Sequence, residues 1–556
     1  MDTKKIIIYQ VLPRLFGNRT MKCKKNGTIA ENGCGKMNFF DCDILDKIKK
    51  LGVTHVWYTG IIRHASVTDY SAFGIPRQHP AIVKGKAGSP YAITDYYDVD
   101  PDLAENIDDR MAEFEALVER THNEDLSLII DFVPNHVARQ YHSIAKLKGV
   151  KDLGEGDNNN FGFSPRNNFY YCVNEPFVPY IDLYAGSERP YMEFPAKVTG
   201  NDCFNNRPCM NDWYETVKLN YGVDYCDAGG RSSHFTPIPD TWFKMVEILL
   251  FWAKKGIDGF RCDMAEMVPH EFWTWAIHMV KESFPHIMFI AEVYNPSEYR
   301  NYISSGFDYL YDKVGMYDTM RGVICGNTPC SSITYAWQSV DDIHDKMLYF
   351  LENHDEQRIA SNFFSGSGTK ALPGVIVNAL MRANPFMIYA GQEYGEKGMN
   401  EEGFSGRDGR TTIFDYWTVI SLYHGFVHPE LLDKDETSLR NKYSAILNLA
   451  ISERAVSEGI FFDLEYANPH LAAHQYAFIR KADDELLLVV ANFSVERVKC
   501  DVCIPEHAFD MLNIQNGTYE ASDILNDKSM SVELSAVKPI TFELAPYWGV
   551  VLKFLI

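Results

Sequence analysis

Short apolar runs alternate with amphipathic helical stretches along most of the 556-residue chain. This order is typical of parallel βα units, because two parallel strands of one sheet need a crossover between them, which is usually a helix. Apolar residues at helical spacing predict helices over residues 40–51, 103–118 and 240–255. Short apolar runs predict strands over residues 6–12, 53–58, 126–133, 259–263, 287–293, 347–353 and 386–390. The count and order of these elements fit a barrel of eight βα units.

Two segments break this alternation. Residues 138–236 are rich in Asn, Gly, Pro and Tyr and are far too long for a simple βα loop, so we predict an inserted domain. After a predicted helix over residues 439–458, the sequence changes to strand-turn-strand patterns. The predicted fold is therefore α/β, a (β/α)8 TIM barrel with an inserted domain after strand 3 and a C-terminal antiparallel β domain. The predicted boundaries are 1–137 and 237–462 for the barrel, 138–236 for the insertion and 463–556 for a C-terminal β-sandwich.

Charge and cysteine content limit the partners and the compartment. The 75 acidic residues outnumber the 53 basic ones, and the formal charge of −22 argues against nucleic acid or an anionic membrane as partner. No window approaches the roughly 18 apolar residues that span a bilayer. The first ten residues lack the apolar stretch of a secretory signal, so we expect a cytoplasmic protein whose twelve cysteines are thiols. Cys500 and Cys503 have CxxC spacing, but without a second pair they are interpreted as ordinary strand residues.

Acidic residues stand at the ends of four predicted strands. In chain order they are Asp131, Asp263, Glu292 and Asp355. Strand alternation places Arg261 on the same face as Asp263, and a barrel brings the carboxyl ends of its strands to the face that carries active sites. One Asp–Arg pair alone would be explained by a structural ion pair. Four acidic strand ends are better explained by a catalytic site.

Carboxyl groups crowded into a partly desolvated mouth can acquire different pKa values, because one holds its proton while its neighbours stay ionised. This division suits glycoside cleavage with retention, which needs a carboxylate nucleophile and a protonated acid about 5 to 5.5 Å away. Histidines and an arginine near such a pair would bind hydroxyls and hold charges. The residue types at these strand ends match those roles.

Four segments together resemble the conserved regions of the α-amylase family, glycoside hydrolase family 13. They are Asp131-Phe-Val-Pro-Asn-His136, Gly259-Phe-Arg-Cys-Asp263, Ala291-Glu292-Val and Phe350-Leu-Glu-Asn-His-Asp355. The resemblance extends from residue 6 to residue 395 and includes Ile388-Tyr-Ala-Gly-Gln-Glu-Tyr-Gly395 at the last strand.

The resemblance implies a role for each site residue. Asp263 would be the nucleophile, Glu292 the general acid/base and Asp355 the transition-state stabiliser. Arg261 would orient Asp263. The remaining implied sugar-site residues are His136 and His354, which would bind hydroxyls, Asp131, which would support the site, and Tyr91, which would stack on the sugar ring.

The sequence also departs from the family pattern. Where many members carry Ala-x-Lys-His after the nucleophile, this chain has Met264-Ala-Glu-Met267, so two family contributors to sugar and calcium binding are missing. Asn135 still matches a family calcium ligand, and we expect no required cofactor, with calcium as the one alternative. Thr216-Val-Lys-Leu-Asn220 resembles an additional motif of the neopullulanase and maltogenic subgroups. Ala92 follows Tyr91 where exo-acting members carry an Asp.

Three hypotheses for function remain at this level. The first is a retaining hydrolase of α-1,4-glucosidic bonds in starch- or glycogen-derived glucans and maltooligosaccharides. The second is an α-glucanotransferase or maltosyltransferase, which uses the same covalent intermediate and differs in the acceptor. The third is a non-catalytic relative, against which the retained Asp263, Glu292 and Asp355 argue. The sequence leaves endo or exo attack, chain-length preference and oligomeric state open.

Overall fold

Eight parallel strands close into a barrel in the computed structural model, which describes residues 5–556. The first four residues, with which the predicted barrel domain begins, lie outside the described residues. The barrel strands are β1 (Ile7–Val11), β2 (His55–Tyr58), β3 (Ser127–Phe132), β4 (Gly259–Cys262), β5 (Met288–Ala291), β6 (Tyr309–Tyr311), β7 (Met347–Phe350) and β8 (Phe386–Tyr389). Each strand pairs with its sequence neighbours, and β1 pairs with β8 to close the ring. The TIM-barrel prediction is confirmed.

Helices connect successive strands and pack around the barrel. They are α1 (Cys42–Lys49), α2 (Arg110–Asn123), α3 (Asp240–Ala253), α4 (His270–Ser283), α5 (Tyr299–Ser304), α6 (Asp318–Ile324), α7 (Ser332–Gln338), α8 (Leu372–Leu380) and α9 (Lys434–Ser452). Local sequence fixes their ends. Asp41 caps α1 by accepting a hydrogen bond from the Ile44 amide, and Asp433 and Glu436 form a capping box at the start of α9.

Alternation along the strands separates two apolar layers. One set of side chains fills the barrel interior: Ile8, Trp57, Ile129, Ile290, Tyr311, Leu348, Phe350 and Met387. The alternate residues face the helices and belong to the main core. Each fully buried aliphatic or aromatic side chain contributes about 1.5–3 kcal/mol, so this core holds the strand ends in fixed positions.

Gly52 sets how closely α9 approaches the barrel. Its φ of 101° lies in the left-handed region, and a Cβ here would stand 2.8 Å from the Asn448 amide nitrogen in α9. Both the turn before β2 and the helix contact therefore favour glycine.

The insertion between β3 and α3 contains only short strands. His136–Ala138 pairs with Thr216–Lys218, Tyr171–Cys172 with Ala196–Lys197, and Val223–Asp224 with Ser232–Ser233. Between these strands, asparagine side chains hydrogen-bond to the backbone. For example, the Asn220 side chain donates to the carbonyl oxygens of Ser164 and Asn167. The first pairing ties the insertion directly to the end of β3.

The C-terminal region forms two antiparallel sheets around its own apolar core. Its strands are β9 (Ile460–Asp463), β10 (Gln475–Ala482), β11 (Glu485–Asn492), β12 (Val498–Val502), β13 (Gly517–Asp523), β14 (Lys528–Leu534), β15 (Ile540–Leu544) and β16 (Trp548–Leu555). The larger sheet has the order β9-β10-β11-β16-β13-β14, and β12 pairs with β15. The first strand begins at Ile460, slightly before the predicted boundary at residue 463, and the antiparallel C-terminal domain is confirmed.

The sixth barrel strand, β6, goes beyond the sequence prediction, which does not include it because it is only three residues long. Within residues 5–556, no helix combines the length and apolar character needed to cross a membrane.

Candidate active site

The carboxyl ends of β3, β4, β5 and β7 bring the predicted acidic residues into one cavity. Asp131 and Arg261 are directly paired positions of neighbouring strands β3 and β4. Asp263 follows β4, Glu292 follows β5, and Asp355 lies in the loop after β7. Parallel strands end at the same edge of the barrel, which is why residues far apart in sequence meet here.

Arg261 connects three of these acids and is fully buried. Its Nη1 lies 2.8 Å from Oδ1 of Asp263 and 3.4 Å from Oδ1 of Asp131, and its Nη2 lies 2.6 Å from Oε2 of Glu292. The guanidinium also lies 5.2 Å from the ring centre of Trp57. Such a buried cation is stable because several carboxyl groups surround it.

Two groups besides Arg261 hold Glu292. The Met264 amide donates to Oε2 at 2.8 Å, and the Tyr294 hydroxyl donates to Oε1. Met264 has a φ of 43°, a left-handed conformation that costs a non-glycine residue of the order of 1 kcal/mol. This strained residue aims its amide at Glu292, directly beside Asp263.

The protonation of Asp263 depends on its neighbours. Burial raises the pKa of Asp263 well above its ordinary range; Arg261 opposes this shift, and the negative charges of Glu292 and Asp355 add to it. Closely spaced carboxyl groups titrate as a unit, so the protonation of Asp263 depends on the charges of its neighbours.

Asp355 is held by its own loop. The Asn353 side-chain oxygen accepts hydrogen bonds from the amides of Asp355 and Glu356, both at 2.9 Å. His354 Nε2 lies 3.0 Å from Asp355 Oδ2. Although partial burial opposes ionisation of this 46% exposed side chain, the charge and hydrogen bond of His354 lower the pKa of Asp355 to about 2. Asp355 is therefore the carboxyl group of this cluster that most readily stays ionised.

A buried ion pair closes the base of the same loop. Arg358 Nη1 lies 2.8 Å from Glu352 Oε2, and both side chains are about 1% exposed. Arg358 also donates to the carbonyl oxygen of Ala390 and to Thr411 Oγ1, which ties the β7 loop to the β8 loop. These contacts fix the position of the loop that carries Asp355.

Of the predicted sugar-binding residues, Tyr91 and His136 reach the cavity, whereas His354 and Asp131 contact its lining residues from behind. The Tyr91 hydroxyl lies 2.6 Å from His354 Nε2, and the two rings stack with centres 5.1 Å apart. Trp57 Nε1 donates to Asp131 Oδ2 at 3.1 Å. His136 lies beside Trp213, with ring centres 5.2 Å apart. Tyr91 and His136 line the cavity together with Asp263, Glu292 and Asp355.

The surroundings of Asn135 do not fit a calcium ion. Its side-chain oxygen accepts a hydrogen bond from Lys218 Nζ at 2.8 Å, and that ammonium also lies 2.6 Å from Asp202 Oδ1. Lys218 is 2% exposed, so its positive charge stands where the oxygens of Asn135 and Asp202 would otherwise face a cation. Calcium needs six to eight oxygen ligands, and a buried ammonium between two of them would repel the ion. No group of three or more His, Cys, Asp or Glu residues suited to a metal occurs in the described part of the chain.

The cavity has a volume of about 300 Å³ and includes residues that sequence reasoning missed. These are Lys84, Ser89, Trp213, Glu215, Tyr294, Ile413 and Phe414. Most come from long loops, where no periodic pattern indicates which way a side chain points. A larger cleft of about 1340 Å³ lies around Ile6, Arg382 and Phe461, away from the catalytic carboxyl groups. Chemistry rather than size identifies the smaller cavity as the candidate active site.

Comparisons with known proteins agree with this geometry. Residues 31–421 match the family model described as the alpha amylase catalytic domain. The chain is 23% identical to Alpha-amylase 3 of Dictyoglomus thermophilum, covering 92% of this chain and 88% of that protein. It is 21% identical to Neopullulanase 2 of Thermoactinomyces vulgaris, covering 90% of this chain and 72% of that protein.

The fold has a counterpart among solved structures. A noncanonic maltogenic alpha-amylase from Thermotoga neapolitana superposes with a TM-score of 0.63 at 18% sequence identity, and the match covers 100% of both chains. At that identity the likeness shows the fold alone.

Proposed function

Because the chain belongs to the α-amylase family and is a glycosidase of the α-amylase type, we propose that it hydrolyses α-1,4-glucosidic bonds of starch- or glycogen-derived glucans and maltooligosaccharides with retention of configuration. The observation that carries this proposal is the grouping of Asp263, Glu292 and Asp355 in one cavity around Arg261. The names of the relatives, an alpha-amylase and a neopullulanase, support an α-glucan substrate.

The contact with Arg261 that Asp263 and Glu292 share favours retention of the anomeric configuration. One guanidinium holds Asp263 through Nη1 and Glu292 through Nη2, so the two carboxyl groups are close neighbours. Retaining enzymes place their carboxyl groups about 5–5.5 Å apart, whereas inverting enzymes need about 6.5–9.5 Å to admit a water molecule. The shared arginine suits the shorter distance.

The first step forms a covalent glycosyl-enzyme. Asp263 attacks the anomeric carbon while Glu292 donates its proton to the leaving oxygen, and the bond between that carbon and oxygen breaks. Asp263 reacts as the ionised carboxylate, which its contact with Arg261 favours, and Glu292 takes the acid role that the family resemblance implies for it.

The second step releases the sugar. Glu292, now ionised, takes a proton from water, and the resulting hydroxide attacks the anomeric carbon and frees Asp263. The Met264 amide and Tyr294 hydroxyl stabilise Glu292 in this charged state.

The other residues support the transition state. Asp355, with its low pKa, opposes the positive charge that develops on the sugar ring. His136, which lines the cavity, is proposed to bind the sugar hydroxyls, and Tyr91 provides an aromatic surface there. His354 contacts Tyr91 and Asp355, and Asp131 anchors Arg261 and Trp57.

Incubation with maltoheptaose tests this function directly. We expect only shorter maltooligosaccharides by chromatography, and the newly released end to be the α anomer in rapid NMR spectra, because two inversions restore configuration. A β anomer as first product would contradict the double displacement. Products longer than maltoheptaose would instead favour the transferase alternative, in which a sugar hydroxyl intercepts the same intermediate.

Chelation is expected to leave activity within about twofold of the untreated enzyme, because a buried lysine rather than a metal balances Asn135 and Asp202. The measurement is the rate on maltoheptaose with and without excess EDTA, with added calcium as the control. A complete loss of activity that calcium restores would refute this account of Lys218.

We also propose a reducing compartment for this protein, which accords with the expected cytoplasmic location. All twelve cysteines lie in the described part of the chain and are free thiols. Several are partly exposed, including Cys42, Cys226 and Cys503, and free thiols of this kind persist where disulfides are kept reduced.

A further inference from the structure

A buried ion pair in the catalytic cavity has no part in the chemistry described above. Lys84 Nζ lies 2.9 Å from Glu215 Oε1, and the two side chains are 10% and 5% exposed. Both residues line the cavity. The second carboxylate oxygen of Glu215, Oε2, is buried without a hydrogen-bond partner. A buried charged oxygen without a donor is costly, so this position favours a ligand that brings a hydroxyl group.

The pair joins two separate loops. Lys84 belongs to the loop between β2 and α2, and Glu215 belongs to the insertion. The backbone oxygen of Glu215 accepts from the Arg139 amide, in register with the strand pairing of Ala138 and Thr216. The pair therefore bridges a gap between two walls of the cavity.

The β2 loop is fastened on its other side to the β8 loop. The Ala87 amide donates to the Phe414 carbonyl oxygen at 3.0 Å. A Cβ at Gly85, whose φ is 66°, would stand 2.1 Å from that same oxygen. Arg14 Nη1 donates to the carbonyl oxygens of Gly88 and Ile413, which binds the two loops together. Phe414, Lys84, Glu215 and Trp213 thus form a continuous surface, which we call the closing wall.

The closing wall meets the proposed sugar-binding residues at His136. Trp213 packs against His136, which is proposed to bind hydroxyls of the sugar that Asp263 retains. The leaving group instead lies toward its acid, Glu292, whose partners are Met264 and Tyr294. A wall on the retained side limits how much chain can extend beyond the cleaved bond.

We propose that the Lys84–Glu215 pair binds the free hydroxyls of the non-reducing terminal unit, so that the enzyme attacks α-glucans from chain ends. This inference rests on the proposed function. In an α-1,4-glucan the terminal unit alone has a free 4-hydroxyl, because the same oxygen of each internal unit carries the next sugar. Glu215 Oε2 would accept from such a hydroxyl, and Lys84 Nζ would donate to one.

The test compares two substrates that differ at one end. One is 4-nitrophenyl maltoheptaoside, and the other is the same compound with its terminal 4- and 6-hydroxyls blocked by an ethylidene group. We expect kcat/KM for the blocked compound to be lower by at least about 100-fold, because a site built to bind a hydroxyl strongly rejects an analogue lacking it. The ratio of the kcat/KM values for the two substrates does not change when a variant merely contains less active enzyme.

Removing both charges together tests the pair itself. In the double variant Lys84→Met, Glu215→Leu, no unpaired buried charge is left behind, and we expect discrimination against the blocked compound to fall by about tenfold or more. A control is Glu193→Gln, which removes the negative charge from the buried Arg139–Glu193 pair of the insertion, 2.7 Å apart, and keeps the oxygen that accepts from Arg139. The control is expected to keep the wild-type ratio.

Each outcome is decisive. Equal wild-type rates on the two compounds would overturn chain-end attack and leave the hydrolase assignment intact. Wild-type discrimination that survives in the double variant would overturn the role of Lys84 and Glu215. Absence of cleavage of both compounds by the wild-type enzyme would refute the proposed function itself.

Discussion

Replacing Asp263 by asparagine is expected to lower kcat on maltoheptaose by about five orders of magnitude, since the amide cannot form the covalent intermediate. The side chain keeps its shape, so the surrounding barrel should remain intact. The measurement is turnover of the purified variant, with circular dichroism and thermal unfolding to establish that it is folded.

A suitable control for this variant is Asp308→Asn at the start of β6. Asp308 lies 2.8 Å from Lys281 at the other end of the barrel, and its half-buried pair contributes little to stability. We expect this variant to retain activity within about threefold. Activity near wild type in folded Asp263→Asn would exclude Asp263 as nucleophile.

Replacing Glu292 by glutamine should have an effect that depends on the leaving group. On maltoheptaose we expect a loss of about 10³- to 10⁴-fold, because the sugar oxygen must be protonated as it leaves. A 2-chloro-4-nitrophenyl maltooligoside has a leaving group that departs without protonation, so its first step should be nearly unaffected. The glycosyl-enzyme would then accumulate and appear as a burst of phenol.

Azide provides a second measurement on the same variant. It attacks the intermediate without a general base, and we expect it to restore turnover of the aryl substrate and to yield a glycosyl azide. Equal losses on the two substrates, with no response to azide, would show that Glu292 is not the acid/base. The parent enzyme, which has its own base, should respond little to azide.

The positions of the carboxyl groups proposed as catalytic could be predicted from sequence because each follows a short apolar run. Asp263 and Glu292 stand one residue beyond strands whose register the barrel fixes, and the resemblance to a known family then assigned their roles. Asp355 was found in the same way, although it stands five residues beyond the end of β7. The local apolar pattern and the barrel topology were sufficient to predict that these residues lie at the same end of the barrel.

The closing wall could not be predicted in this manner. Lys84, Trp213 and Phe414 come from three irregular segments, and only tertiary contacts such as that between Ala87 and Phe414 bring them together. Lys218 was visible in the sequence only as part of a short motif. Its charge matters because it lies between Asn135 and Asp202 in the folded protein. Sequence spacing does not predict that these three residues meet.

The crowding of acids around Arg261 has a consequence for the folding of the whole molecule. Three buried carboxyl groups, Asp131, Asp263 and Glu292, surround the single guanidinium of Arg261, and the repulsion among them opposes the native state. The barrel core has to supply enough stability to keep these groups together. A charge-removing substitution at Asp263, whose raised pKa shows that its ionisation opposes folding, should therefore produce a protein that is inactive yet melts at a higher temperature, as expected when an active site is optimised for reactivity at the expense of the fold that contains it.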